Sequence, residues 1–318
     1  MIETGLLLAG GLILLLAGGE MFVRHSVTLA LAFRVSPLLV GLTLVGFGTS
    51  TPELLTSASA AIAGSPGIAV GNVVGSNTAN ILLILGLSAL VWPVATPARG
   101  FARDIAAVIG SAILLSALLL AGWLTWITGL GMLGLLAAYL MLAYRQERDS
   151  PEAAGDLPDA SAATTASRIR IGLYALAGLG LVLGGAWMLV EGAIGLARVA
   201  GLSEAVIGLT IVAVGTSLPE LVVSMVAAFR RQSEVAIGNI LGSNIFNVLC
   251  IMGATTLVSP GGRVEQGVAV EDLAVMLAAS LALLATALTG RRISRAEGLV
   301  LLAGYVVYVV WLGTRAAA

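Results

Sequence analysis

Gly48-Thr49-Ser50-Thr51-Pro52-Glu53 is followed by Gly71-Asn72 and then by Gly75-Ser76-Asn77-Thr78-Ala79-Asn80. The same order returns as Gly215-Thr216-Ser217-Leu218-Pro219-Glu220, Gly238-Asn239 and Gly242-Ser243-Asn244-Ile245-Phe246-Asn247. Matched positions lie 167 residues apart, as from Glu53 to Glu220, with no gap between the Ser36/Ser203 and Gly86/Gly253 pairs. Roughly half of the aligned residues in that window are identical. A polar, carboxylate-bearing cassette that occurs twice in an apolar chain is the mark of a transporter built from internal repeats.

The rest of the chain supplies the apolar setting. Hydrophobic residues make up 58%, charged residues 10%, and mean hydropathy is +1.04. Soluble domains carry about 25% charge, so the composition is that of a polytopic membrane protein. At about 20 residues per span, 318 residues accommodate eight to ten helices. A net charge of -1 gives no sign of nucleic-acid binding. Cys250 is the single cysteine, so no intrachain disulfide forms. The first apolar run lacks a basic n-region and carries Glu3, so residues 5–22 read as a retained helix and not as a cleaved signal peptide. There is no Gly-x-Ser-x-Gly elbow and no histidine cluster, which argues against an enzyme.

Helices are expected near 3–23, 37–63, 67–91, 103–121, 125–144, 170–197, 204–230, 234–258, 268–289 and 295–314. The longest polar break, 145–169, is rich in Pro, Ala, Ser and Asp and reads as a flexible cytosolic linker. It divides a first membrane repeat, 1–144, from a second, 170–318. The expected fold is all-α, with ten transmembrane helices in two five-helix repeats. Five is odd, so the second copy enters the membrane from the opposite side and the repeats are inverted. All 16 basic residues are arginine, and an outside N-terminus places 13 of them in inner loops, leaving Arg198, Arg263 and Arg315 outside. That asymmetry predicts an inner-membrane protein with both termini on the outer side.

Glu53 falls mid-helix in an apolar segment. A carboxylate at that depth costs several kcal/mol unless compensated, and so reads as functional. Thr49 and Ser50, four and three residues earlier, share its helix face. Pro52 has no N–H, which frees the carbonyl of Gly48, and Gly46 and Gly48 ease local unwinding. Glu220, Thr216, Ser217 and Pro219 repeat the arrangement and free the carbonyl of Gly215. Carboxylate, hydroxyl and carbonyl oxygens together suit hard cations such as Na⁺ and Ca²⁺. In the next helix Asn72, Ser76 and Asn80 recur every four residues, as do Asn239, Ser243 and Asn247, and add neutral oxygens. Gly71/Gly75 and Gly238/Gly242 are small-xxx-small pairs that let helices approach closely. Taken singly, each of these Ser, Thr and Asn residues is better explained by interhelical bonding than by a ligand role; the two glutamates are not. Glu20 and Glu191 read as structural or interfacial, His25 as a surface residue beside Arg24, and Trp92, Trp123, Trp126 and Trp311 as interfacial anchors.

The two motif pairs, at this spacing in both halves, resemble the cation/calcium antiporter superfamily in its prokaryotic Na⁺/Ca²⁺ exchanger branch. The resemblance implies a ten-helix exchanger working by alternating access. Helices 2, 3, 7 and 8 would form the ion site, and helices 1 and 6 would slide across it. The implied ligands are Thr49, Ser50, Glu53, Ser76 and Asn80, then Thr216, Ser217, Glu220, Ser243 and Asn247, with the carbonyls of Gly46 and Ala213. Ca²⁺ and Na⁺ are then cargo in a lipid bilayer, and neither a cofactor nor an obligatory protein partner is implied. One position departs from the pattern: exchangers of this type often carry Ser-Asn-Ile-Phe-Asp where this chain has Asn247. Two carboxylates balance one Ca²⁺ or two Na⁺, so H⁺ coupling and K⁺ dependence stay open beside Na⁺ coupling. A cation channel lined by both cassettes is the alternative of another class.

Overall fold

The computed structural model describes residues 2–33, 35–97, 100–147, 165–199, 213–264, 268–290 and 292–317. Helix α1 is Ile2–Phe33. Next come α2 (Pro37–Thr49) and α3 (Thr51–Ile62), which meet at a 45° bend. They are followed by α4 (Pro66–Val91), α5 (Phe101–Leu120) and α6 (Trp126–Glu147). The second half has α7 (Thr165–Val199), α8 (Ala213–Thr216), α9 (Leu218–Phe229), α10 (Ser233–Val258), α11 (Val270–Leu288) and α12 (Arg295–Ala317). Among the described residues seven helices are long and apolar enough to cross a membrane, and the bent α2–α3 pair makes an eighth. The start of the expected helix 204–230 lies outside the described residues, which resume at Ala213.

The first helix runs ten residues past the end of the expected 3–23. Arg24 does not end it, because its side chain is exposed while Phe22, Val23, Ser26 and Ala30 keep one face buried. The stop comes at Ser36-Pro37. The Ser36 hydroxyl accepts the Leu39 N–H at 3.1 Å, and Pro37 takes the first position of α2. The break expected at 145–169 is also shorter, since α6 runs through Glu147 and α7 begins at Thr165. Residues 148–164 of the expected linker lie outside the described ones.

Exposed large side chains such as Leu12, Ile13, Ile113, Ile127, Trp187, Val300 and Val307 give the helices an apolar outer surface. A lipid environment accounts for a surface of that kind. Short β contacts tie loops of the two halves: Val94–Ala95 pairs with Arg292–Ile293, and Thr125 bridges Arg263.

Glycines set how closely the helices approach. A Cβ on Gly11, Gly18, Gly178 or Gly185 would meet backbone nitrogen of the facing helix at 2.6 to 2.7 Å, so α1 and α7 touch main chain to main chain. Gly180 and Gly184, on the same helix, have open space around them among the described residues. Gly178→Val and Gly185→Val should therefore each cost about 1–3 kcal/mol by overpacking, whereas Gly180→Val and Gly184→Val should cost little more than their helix propensity. Thermal midpoints in detergent check the contrast.

A second seam joins α2 to α10. A Cβ on Gly238 would sit 3.0 Å from Gly41, and one on Gly46 would sit 3.0 Å from the Ser243 nitrogen. The Gly238/Gly242 pair thus works as its spacing predicts. Gly71 and Gly75 show no such contact among the described residues, Val268 at 3.9 Å being the nearest atom.

A candidate cation site between the two cassettes

Each cassette folds as a broken helix. The first breaks at Ser50 (φ -81°, ψ 7°) and the second at Ser217 (φ -89°, ψ 5°). Pro52 and Pro219 then occupy the opening turn of the next helix, where a missing N–H costs nothing. Glu53 and Glu220 follow directly, each in the first turn of its helix and each 1% exposed. Carboxylates are favoured there by the helix N-terminal dipole. The unwinding expected around Gly46 and Gly48 is thus placed slightly later, at the serine. The Gly46 carbonyl accepts the Ser50 N–H at 3.2 Å and the Ser243 hydroxyl at 3.3 Å.

The two cassettes brace each other crosswise. The Ser50 hydroxyl donates to Glu220 Oε1 at 2.9 Å, and the Ser217 hydroxyl donates to Glu53 Oε1 at 3.2 Å. Ser217 also lies 3.5 Å from the Ser76 hydroxyl. Thr216 ends α8 with its hydroxyl facing Glu53. Thr49 donates to Asn239 Oδ1 at 3.0 Å and to the Val45 carbonyl at 3.0 Å. Ala213 opens α8, at the edge of the described residues. In both carboxylates the other oxygen, Oε2, is buried without a hydrogen-bond partner among the described residues. So are both amide atoms of Asn80 and the Oδ1 of Asn247.

Buried polar atoms are nearly always paired. Five cassette residues, Glu53, Glu220, Asn80, Asn244 and Asn247, each leave a buried oxygen without a partner among the described residues, and two of them are carboxylates, which makes the region between the cassettes a candidate cation site. The donor set is hard oxygen throughout, which fits Na⁺ or Ca²⁺ and not a thiophilic metal. Among the described residues no cluster of three His, Cys, Asp or Glu exists. The site therefore carries limited charge, from the two glutamates, with neutral oxygens around them.

The asparagines divide in a way their spacing does not show. Asn72 and Asn239 share a helix face with Ser76 and Ser243, but they serve as braces. The Asn239 amide donates to the Glu220 carbonyl at 3.3 Å and to Ser224 at 2.8 Å. Asn72 donates to the Glu53 carbonyl at 3.3 Å and to Ser57 at 3.0 Å. Each ties the glutamate helix to the helix that follows it. Ser57 and Ser224 were not among the expected site residues, although both lie four positions after their glutamate and repeat in register.

Asn80 and Asn247 each open a π-helical turn, Asn80–Leu85 and Asn247–Met252, at equivalent places in the two repeats. Such turns widen a helix and often mark functional sites. The first turn packs against α9, which carries Glu220, and the second against α3, which carries Glu53.

Away from these residues, Glu20 pairs with Arg230 at 2.7 Å, a structural role, and Glu191 is exposed. His25 donates from Nδ1 to the Met21 carbonyl at 2.7 Å and lies 5.1 Å from the Tyr174 ring.

Comparison with known proteins places this geometry. The sequence matches the family described as sodium/calcium exchanger protein over residues 4–145 and 171–314. It is 37% identical to the candidate antiporter CaxA of Alkalimonas amylolytica, over 94% of this chain and 95% of that one. It is 35% identical to the sodium/calcium exchanger MaX1 of Methanosarcina acetivorans, over 96% of this chain and 97% of its relative. The fold superposes on the solved structure of the sodium–calcium exchanger NCX_Mj, soaked with 10 mM Na⁺ and zero Ca²⁺, with a TM-score of 0.86. That match has 32% identity and covers 97% of this chain and 98% of the other.

Proposed function

The chain belongs to the sodium/calcium exchanger protein family, and we propose that it is a secondary antiporter exchanging Na⁺ for Ca²⁺ across the cell membrane by alternating access. The observation that carries this reading is the crosswise pair Glu53 and Glu220. Each has one oxygen held by a serine of the other cassette and one that is buried and unpaired among the described residues. Two such charges are matched by one Ca²⁺ or by two Na⁺. An empty site leaves them uncompensated in a low-dielectric interior, at a cost of several kcal/mol per ion. A carrier with that penalty does not switch empty, so uptake of one ion is tied to release of the other.

In this reading Thr49, Ser50, Glu53, Ser76 and Asn80 contribute from the first repeat. Thr216, Ser217, Glu220, Ser243 and Asn247 contribute from the second, with the carbonyls of Gly46 and Ala213. The repeats span 1–144 and 170–318, number ten helices in all, and are inverted, with both termini outside and 145–169 as a cytosolic linker. Support comes from the loop contacts: the Ala95–Arg292 and Thr125–Arg263 pairings exchange places, to within one residue, when one repeat is mapped on the other. The glycine seam between α1 and α7 suits two helices that slide as a pair over the site-bearing core.

Proteoliposomes loaded with Na⁺ and diluted into Na⁺-free ⁴⁵Ca²⁺ buffer should accumulate Ca²⁺, and an outward H⁺ gradient of equal size should not drive uptake. Uptake on the H⁺ gradient alone would replace Na⁺ by H⁺ as the coupling ion. A requirement for K⁺ on the side opposite to Na⁺ would add a co-substrate. Currents that run down an electrical gradient without any counter-ion would make the protein a channel.

A further inference from the structure

Asn77 lies outside the ligand set, yet it holds an amide that belongs to it. Its Nδ2 donates to the backbone carbonyl of Asn244 at 3.3 Å. A backbone carbonyl accepts and never donates, so the orientation of the Asn77 amide is settled: nitrogen toward Asn244, oxygen away from it. That oxygen meets the side chain of Asn247 at 3.0 Å. An oxygen facing it must accept, so Asn247 has to offer its NH₂. The Asn247 oxygen is then turned to the other side, buried and without a partner among the described residues. Asn77 and Asn247 are themselves 3% and 1% exposed, so water does not compete for these bonds at the surface.

We infer that Asn77 is a positioning residue: through the Asn244 carbonyl it locks the Asn247 amide with its oxygen, and not its NH₂, facing the transported cation. An amide has two nearly isosteric ends of opposite character, one that attracts a cation and one that repels it. A neutral ligand at this position therefore needs an orienting partner in a way that a carboxylate does not. The other repeat lacks the device. Asn244, which matches Asn77, donates its Nδ2 to Ile240 within its own helix at 2.7 Å. Asn80, which matches Asn247, has neither amide atom bonded among the described residues, so no hydrogen bond there fixes which end faces inward. Of the two matched amides, only that of Asn247 is oriented by a hydrogen bond among the described residues. The inference rests on the exchanger reading of the site.

The test is a double-mutant cycle in Na⁺-driven Ca²⁺ uptake by the full chain. Asn77→Leu removes the orienting acceptor and should raise KM for Ca²⁺ about tenfold, with the maximal rate within about twofold of wild type. Asn247→Ala should raise KM by a similar factor. The double variant should be no worse than Asn247→Ala, because Asn77 acts only through Asn247. Asn77→Ala, which cannot overpack, repeats the measurement if Asn77→Leu does not fold. Losses that add in the double variant overturn the inference, as does a fall in maximal rate and thermal stability with unchanged KM, which is the pattern of a purely structural residue. Wild-type protein that exchanges no Ca²⁺ for Na⁺ would instead overturn the exchanger reading itself.

Discussion

Glu53→Gln and Glu220→Gln should each reduce Na⁺-driven Ca²⁺ uptake at least about 100-fold while leaving a folded, monodisperse protein in detergent. The size follows from the site's charge. Removing one of two buried carboxylates leaves a divalent ion half-compensated, and breaking a buried charge pair costs about 3–5 kcal/mol, where about 1.4 kcal/mol is tenfold. Stability should suffer little, because the serine donors Ser50 and Ser217 find an amide oxygen in place of the Oε1 they now bond. Gln also removes the burden of an uncompensated buried charge in the empty protein. Proteoliposome ⁴⁵Ca²⁺ flux and size-exclusion profiles measure the two halves of this expectation. Flux within threefold of wild type in either folded variant would remove that glutamate from the site.

Gly242→Val should do the opposite, lowering stability before function can be asked about. A Cβ at Gly242 would stand 2.8 Å from both the Cα and the carbonyl carbon of Leu42, with the Leu42 carbonyl oxygen closer still. The obstacle is main chain, so no rotamer change relieves it, and α2 must move off α10. Overpacking of this kind costs about 3 kcal/mol or more. The displaced seam includes the contacts of Gly46 with Ser243, so the cation site would open with it. Gly134→Val, on a helix position with nothing within 4 Å among the described residues, is the control. Thermal unfolding followed in detergent should separate the two by several degrees, and equal midpoints would show that α2 and α10 are not held by this contact.

The broad outline was legible before any coordinates. A hydropathy of +1.04 leaves only a membrane protein. Two glutamates at identical places in a duplicated motif are too costly in such a chain to be accidental. Pro52 and Pro219 marked where helices would break, because a missing N–H has a local consequence. Ser57 and Ser224 are likewise present in the sequence as a repeated pair. Helix ends were read less well. Arg24 looked like a terminus and Arg145 like the start of a loop, but long arginines on an exposed face extend out of a helix without ending it.

What remained hidden depends on partners far away in the chain. A four-residue spacing puts Asn72, Ser76 and Asn80 on one face, yet Asn72 braces the Glu53 helix, Ser76 meets Ser217, and Asn80 has no partner among the described residues. The π turns at Asn80 and Asn247 carry no local composition signal that separates them from ordinary helix. Which glycine pair forms a seam, and which way the Asn247 amide is turned, depend on contacts between residues 170 to 197 positions apart, Asn77 with Asn247 and Gly41 with Gly238. Cost and periodicity are properties of a segment and are written in its residues. Orientation and pairing are properties of two segments together, and exist only once the halves have packed.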